Sequence, residues 1–162
     1  MQLSENSRVW IYQSDRPFTT NEVLTIQNIL DDFTAQWQAH GQQLIAKGEV
    51  KYNRFIILLV DEEQSGATGC SIDKSVQLMK GFELEFNIDL FDRFNIAFRK
   101  GNEILSANRK EFESLIQKGE ITEDTIVFNN LVQTKKDLET NWEVPFRNSW
   151  HARVFSLSPL TP

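Results

Sequence analysis

The sequence has one cysteine, two histidines and no long run of apolar residues. A single cysteine excludes an internal disulfide, and one thiol with two imidazoles is too few for a typical zinc site. No stretch approaches the roughly 20 apolar residues of a membrane-spanning helix, and the polar segment after Met1 does not resemble a secretory signal. We therefore expect a cytoplasmic protein with no membrane partner, no resident metal and no cofactor.

Positive charge is also scarce. The 17 lysine and arginine residues are outnumbered by 23 aspartate and glutamate residues, which gives a net charge of -6. No basic cluster interrupts this acidic balance, so a phosphate backbone would meet a mostly repulsive field. Nucleic acid is not expected as a partner.

Core-forming residues are plentiful. The chain of 162 residues contains 12 phenylalanines and 4 tryptophans, and large aromatic side chains dominate the energetics of protein cores. The length suits one domain. We predict a single globular domain over residues 1–155 and a C-terminal tail over residues 156–162.

An apolar run from Phe55 to Val60 is the clearest pattern in the chain. Six consecutive apolar residues are typical of a strand buried on both faces. The run is followed by a loop of small residues, Gly66 to Ser71, and then by a helical pattern from Ile72 to Phe86. Ser71 is the expected N-cap of this second helix, which places Asp73 in its first turn.

The first helix is predicted from its capping box. Thr19 is the expected N-cap, and Glu22 follows three residues later. A strand over Arg8–Gln13 precedes it, because this segment is rich in aromatic and β-branched residues. Gly41 is the expected end of the helix, with His40 in its last turn.

The second half of the chain alternates between strand and helix signals. Lys100–Glu103 predicts a hairpin turn, Asn108 with Glu111 a second capping box, Thr125–Phe128 a strand and Thr134 the start of a last helix. The order β-α-β-β-α-β-β-α-β-α predicts an α+β fold with a single mixed, largely antiparallel sheet of about five to six strands, covered by helices.

Six segments, when they are read together, resemble a known family. They are SRVWIYQ (7–13), YNRFIIL (52–58), GCSID (69–73), DRFN (92–95), VFNNLV (127–132) and SWHAR (149–153). They are similar to a family of small bacterial proteins of about this length that circulates under the label "ABC transporter ATPase". The resemblance covers nearly the whole chain and implies a bacterial origin.

The ATPase label conflicts with the residues themselves. A phosphate-binding loop needs the pattern G-x-x-x-x-G-K-[ST]. Counted from Gly66, the second glycine and the lysine are replaced by Ser71 and Ile72; counted from Gly69, they are replaced by Lys74 and Ser75. We therefore exclude ATP hydrolysis.

A second resemblance is local. The segment from Ile104 to Phe128 is similar to the helix-then-strand unit of GYF-like peptide-binding modules, but it lacks the Gly-Tyr-Phe signature that carries their recognition of proline-rich peptides. It implies a local shape and no peptide-binding activity.

Cys70 is the first candidate for chemistry. A thiol at the start of a helix feels the positive end of the helix dipole, which favours the thiolate. His151 could then act as its base if the C-terminal segment folds over the loop. The alternative is that Cys70 is a small buried residue beneath the helix.

The loop itself is the second candidate. Glycines let a backbone approach a ligand closely, and amides at a helix start bind anions. The predicted ligand-binding residues of the loop are Gly66, Gly69, Cys70, Ser71 and Asp73, although the carboxylate of Asp73 opposes an anion.

The third candidate combines amides, a ring and a guanidinium. Asn129 and Asn130 supply hydrogen-bond donors and acceptors, Trp150 a stacking face and Arg153 a clamp for carboxylate or phosphate. The alternatives are an asparagine turn and a docking strip.

A cation site is also considered and is not predicted. Asp61, Glu62 and Asp73 flank one loop, but their spacing does not resemble a calcium loop.

Three functional hypotheses remain. The preferred one is a non-catalytic cytosolic binding or interaction protein, whose unknown small-molecule or protein partner binds at the Gly66–Ser71 loop, with residues 150–153 as part of the wall. The second is a cysteine-dependent enzyme with Cys70 as nucleophile and His151 as base. The third is a homodimer that the aromatic C-terminal segment holds together.

Overall fold

The computed structural model describes residues 2–155, so the predicted tail at 156–162 lies outside the described residues. Internal contacts divide the chain into two compact units. The first contains the chain up to Asp92 together with Gln133–Leu138, and the second contains Arg93–Val132 together with the chain from Glu139 onward. The single domain that the sequence predicts stays a prediction, and the two units are described separately.

The first unit is built from five strands and two long helices. They are β1 (Arg8–Gln13), α1 (Thr20–Gln36), β2 (Gln38–Ala39), β3 (Gln42–Gln43), β4 (Ile45–Lys51), β5 (Phe55–Asp61) and α2 (Gly69–Phe86). Three of the strands form an antiparallel sheet in the order β1-β5-β4, and β2 pairs with β3 in a small hairpin.

The central strand β5 is buried at every position, which confirms the prediction of a strand buried on both faces. Its residues Ile56, Leu58 and Val60 belong to the core cluster of this unit. The same cluster contains residues of α1 and α2, among them Leu30 and Met79. This face of the strand therefore shares one core with both helices.

Helix α1 begins as predicted and ends earlier than predicted. Thr19 and Glu22 form the reciprocal capping box, but the helix stops at Gln36 and Trp37 is extended. The indole of Trp37 is buried and donates a hydrogen bond to the carbonyl of Ser71 at 2.8 Å. His40 and Gly41 have φ values of 52° and 77° and form the tip of the β2–β3 hairpin. The prediction for the helix end was wrong.

Helix α2, by contrast, begins before its predicted start. Thr68, not Ser71, is the N-cap, and the two side chains form a capping box in which each hydroxyl accepts the other residue's amide hydrogen. The first turn therefore begins at Gly69, and Asp73 lies in the second turn. A capping box normally has Glu or Gln at its third helical position, and serine there gave too weak a signal.

The second unit contains a four-stranded antiparallel sheet in the order β7-β6-β8-β9. Its elements are β6 (Ile96–Lys100), β7 (Glu103–Ala107), α3 (Arg109–Gln117), β8 (Ile126–Phe128), β9 (Glu143–Pro145), a 3-10 turn (Phe146–Asn148) and α5 (His151–Val154); α4 (Lys135–Asn141) begins in the first unit and ends in the second. The predicted hairpin turn and the predicted capping box of α3 are both present.

The α+β class is confirmed. Over residues 2–155 the strands are antiparallel throughout and lie in three sheets rather than in the one mixed sheet predicted. The predicted order of strands and helices is present, with extra short elements between them. Alternation of side chains reveals a strand but not the strand with which it pairs, which is why the number of sheets was missed.

Candidate functional site

The loop before α2 is closed by a carboxylate from its own start. Glu62 Oε2 accepts a hydrogen bond from the amide of Ala67 at 2.8 Å. A Cβ atom on Gly66 would lie 3.1 Å from the same oxygen, so glycine is what lets the carboxylate approach. The predicted use of Gly66, close approach of a ligand, is taken here by Glu62.

The first turn of α2 leaves two backbone amides without an acceptor in the helix or its capping box. The first amides of any helix have no acceptor within the helix, and the capping box uses the amides of Thr68 and Ser71. The amides of Gly69 and Cys70 are left, and both residues are exposed. Ser71 is 1% exposed, so its hydroxyl belongs to the capping box and not to a ligand site.

Cys70 is exposed, so the alternative in which it fills the core was wrong. Asp73, in the next turn, is exposed as well. Gly69 and Cys70 of the first turn and Asp73 of the second form a polar surface patch, which we call the first-turn surface. Two amides, a thiol and a carboxylate can bind a group that offers both acceptors and donors.

The three flanking carboxylates do not converge. Asp61 is buried and accepts hydrogen bonds from the amides of Ser4 and Glu63 at 3.0 and 3.1 Å. Glu62 is bound to Ala67, and Asp73 lies on the exposed side of the helix. Among residues 2–155, no group of three or more potential ligands could hold a metal ion.

His151, in the second unit, is folded into an aromatic core. It is 2% exposed, and its ring stacks on that of Trp150 at 3.8 Å between centroids. Its Nδ1 lies 3.1 Å from Ser149 Oγ, whose hydrogen is donated to the carbonyl of Phe146. Nδ1 therefore donates the hydrogen. Burial lowers the pKa of His151 to about 4, so the ring is neutral at pH 7 and is a poor base for a thiol.

Asn129 and Asn130 hold the fold. The side chain of Asn129 accepts from the amide of Leu131 and donates to the carbonyl of Asn141. Asn130 accepts from the indole nitrogen of Trp142 at 2.9 Å. The ligand-binding role predicted for both stays a prediction, but it would compete with these bonds.

Trp150 and Arg153 differ in accessibility. Trp150 is half-buried, one face of its ring is taken by His151, and its indole nitrogen has no hydrogen-bond partner within residues 2–155. Arg153 is exposed. Both lie in the second unit, whereas the first-turn surface lies in the first, and the wall predicted from residues 150–153 stays a prediction.

Two residues of the site were missed. Thr68 and Glu62 shape the loop, the first as N-cap of α2 and the second as the acceptor that closes it. The spacing of Thr68 and Ser71 was a usable signal, since a hydroxyl three residues before another can form a capping box. Glu62 was considered only as a cation ligand, because its role as the acceptor for Ala67 depends on where the loop returns.

No family model, curated protein or solved structure matches the chain. The resemblance to the small bacterial family therefore stays a prediction. No helix within residues 2–155 is long and apolar enough to cross a membrane.

Proposed function

We propose that this chain is a non-catalytic cytosolic protein that binds its partner at the first-turn surface of α2. One observation carries the proposal. Gly69 and Cys70 are exposed residues and their amides have no acceptor within the helix, whereas Ser71, Asn129, Asn130 and His151 are bonded within the fold. The first-turn surface is thus an open part of the predicted site in the first unit; Arg153, in the second unit, is exposed as well.

The non-catalytic part of the proposal rests on the histidine. A cysteine nucleophile is normally activated by an adjacent general base. The ring of His151 is 2% exposed, and burial lowers its pKa to about 4. The absence of a phosphate-binding loop, argued from the sequence, supports excluding ATP hydrolysis.

The experiment removes one amide without harming the helix. Gly69 occupies the first helical position, where proline is well tolerated, and Thr68 before it has the extended backbone (φ -108°, ψ 170°) that proline requires. A Cβ on Gly69 would meet nothing within 4 Å. Gly69→Pro should keep the fold and abolish binding, and Thr20→Pro, at the exposed first helical position of α1, is the matched control.

Binding is measured in a thermal-shift screen of metabolites, followed by amide NMR spectra with each compound that raises the melting temperature. The proposal expects peaks of residues 66–74 to move in the wild type and in Thr20→Pro, and not in Gly69→Pro. A screen without compounds that act on these peaks would overturn a small-molecule partner, and a protein partner is considered below.

The second candidate is the cysteine-dependent enzyme, which the exposure of Cys70 favours. It requires Cys70 to react with iodoacetamide much faster than a model thiol at neutral pH. Our proposal expects labelling without denaturant at about the rate of the model thiol. A rate enhancement of more than tenfold would replace the binding hypothesis by the enzyme hypothesis.

A further inference from the structure

The outward face of α2 contains two features that no contact among residues 2–155 explains. Leu84 is 88% exposed. Gly81, near it on the same face, is a glycine in a helix interior, which costs stability, yet a Cβ there would meet nothing within 4 Å. A partner that approaches the backbone at Gly81 and covers Leu84 would account for both.

The positions on this face follow from helix geometry. Cys70, Gln77 and Leu84 are seven residues apart and therefore form one stripe, because each residue turns the helix by about 100°. Asp73 and Lys80 lie on one flank of the stripe, and Lys74 and Glu85 lie on the other. All of these residues are exposed, and none of the four charged ones has an ion pair within residues 2–155.

Each flank carries opposite charges at its two ends. Asp73 near the start is matched by Lys80 towards the end, and Lys74 near the start is matched by Glu85 towards the end. Two copies of α2 can be related by a two-fold axis that passes between them at Gln77, perpendicular to both helices. This axis makes the two helices antiparallel and places the same flank of both copies on the same side of the pair. It therefore brings Asp73 to nearly the same height as Lys80 of the other copy and sets Leu84 against Cys70, whereas Lys74 and Glu85 of the two copies stay about 7.5 Å apart along the axis.

We propose that α2 pairs antiparallel with α2 of a second copy of this chain, with Leu84 covering Cys70 and with Asp73–Lys80 ion pairs between the copies. Gly81, beside the stripe on the Lys74 flank, then lets the other helix approach closely. A parallel pair would also bring opposite charges together, but it would align the two helix dipoles, and the antiparallel pair opposes them. This inference names a partner for the first-turn surface and rests on the proposed function.

The dimer is expected to be weak. A helix of 18 residues is about 27 Å long at about 1.5 Å per residue, and one helix pair is a small interface. Interfaces below about 1,200 Å² of total buried surface belong to transient complexes. Sedimentation should therefore show a mass that rises with protein concentration rather than a fixed dimer.

Disulfide trapping tests the register directly. In the antiparallel pair a cysteine at position 84 lies against Cys70 of the other copy, whereas the two Cys70 residues are about 21 Å apart along the helix. The full chain carrying Leu84→Cys, oxidised with diamide at low protein concentration, should become a covalent dimer on denaturing gels. The wild type and the double variant Cys70→Ser with Leu84→Cys should remain monomers.

The charges provide the second arm. Asp73→Lys should lower the yield of crosslinked Leu84→Cys at least fivefold, and adding Lys80→Asp to the same chain should restore it. Equal crosslinking of the wild type and of Leu84→Cys would overturn the antiparallel register, and no crosslinking of Leu84→Cys would overturn the dimer.

The two proposals fail separately. If Leu84→Cys does not crosslink while metabolite-induced NMR shifts are lost in Gly69→Pro, the dimer is wrong and the small-molecule site stands. If Leu84→Cys crosslinks equally well with and without Gly69→Pro and no metabolite binds, the dimer stands and binding through the amide of Gly69 is wrong.

Discussion

Cys70 lies in the first turn of α2, and the buried His151 lies in the segment from Ser149 to Phe155. The two residues are in opposite environments. Cys70 lies at the surface, at the end of a helix whose inner face fills the core of the first unit. His151 lies inside the second unit, against the rings of Trp150 and Phe112. A reactive residue type thus indicates a site only where the fold leaves it accessible.

Burial also bears on the third hypothesis, a homodimer held together by the aromatic C-terminal segment. The aromatic C-terminal residues suggested a dimer contact, but Phe146 and Phe155 are core residues of the second unit, and Trp142 is 3% exposed beside Phe128. Deleting residues 142–162 would remove core side chains and therefore cannot test association. A contact between copies has to use an exposed surface, such as the outer face of α2.

The largest expected effect separates the aromatic core from the exposed helix face. Phe112 is 0% exposed and contacts the rings of Phe98, Phe146 and Phe155. Phe112→Ala should lower the free energy of unfolding by about 3–5 kcal/mol, because burial and packing are both lost. Leu84→Ala, on the exposed face, should change it by less than about 0.5 kcal/mol. Urea unfolding followed by circular dichroism measures both, and similar losses would contradict the contrast.

Acid should act on the second unit through His151. Its pKa is about 4 in the folded protein and near 6.5 in the unfolded chain, so the unfolded chain binds the proton more readily. The stabilisation from the neutral ring is complete above pH 6.5 and is lost as the pH falls towards 4, by up to about 3 kcal/mol. His151→Gln should remove this part of the pH dependence. Parallel stability curves for both proteins between pH 7 and 4 would show that His151 is not buried as described.

The capping boxes of α1 and α3 differ by one ion pair, so a comparison of the two measures what that ion pair contributes to stability. Glu22 accepts from Thr19 and also binds Arg16 at 2.8 and 2.9 Å, whereas Glu111 accepts from Asn108. Glu22→Gln should cost about 1 kcal/mol and Glu111→Gln a few tenths, since glutamine still caps but forms no ion pair.

The contribution of the Arg16–Glu22 ion pair to the free energy of unfolding should depend on pH, which provides a check. Arg16 and, to a lesser extent, the amide of Thr19 lower the pKa of Glu22 to about 2, so the stabilisation from this carboxylate is present above pH 4.5 and is lost as the pH falls towards 2. Equal costs of the two variants at pH 7 would mean that Arg16 contributes nothing measurable.

The smallest effect compares two glycines. A Cβ on Gly81 would meet nothing, whereas a Cβ on Gly48 would lie 3.1 Å from Leu30 Cβ and 3.2 Å from Leu58 Cδ2. Gly81→Ala should raise the free energy of unfolding by about 0.5–1 kcal/mol, and Gly48→Ala should lower it because the strand is pressed against the helix. Melting temperatures that shift in the same direction for both would refute this reading of the two positions.

Much of the local structure could be predicted from residues that act on their near neighbours. Thr19 with Glu22 and Asn108 with Glu111 began helices as expected, and the run from Phe55 to Val60 formed the central strand. Where a distant residue intervened, the prediction failed. Trp37 leaves α1 to bond to Ser71, and the hydroxyl predicted to face a ligand became part of a buried capping box.

The sequence by itself determined the α+β class, the order of the main elements and the presence of a thiol next to a helix start, because capping, turn residues and side-chain alternation act within a few residues. Only the tertiary structure decided that this thiol is exposed, that His151 is buried and that the strands form three sheets. Burial and strand pairing depend on contacts between residues far apart in the chain, which no short pattern encodes.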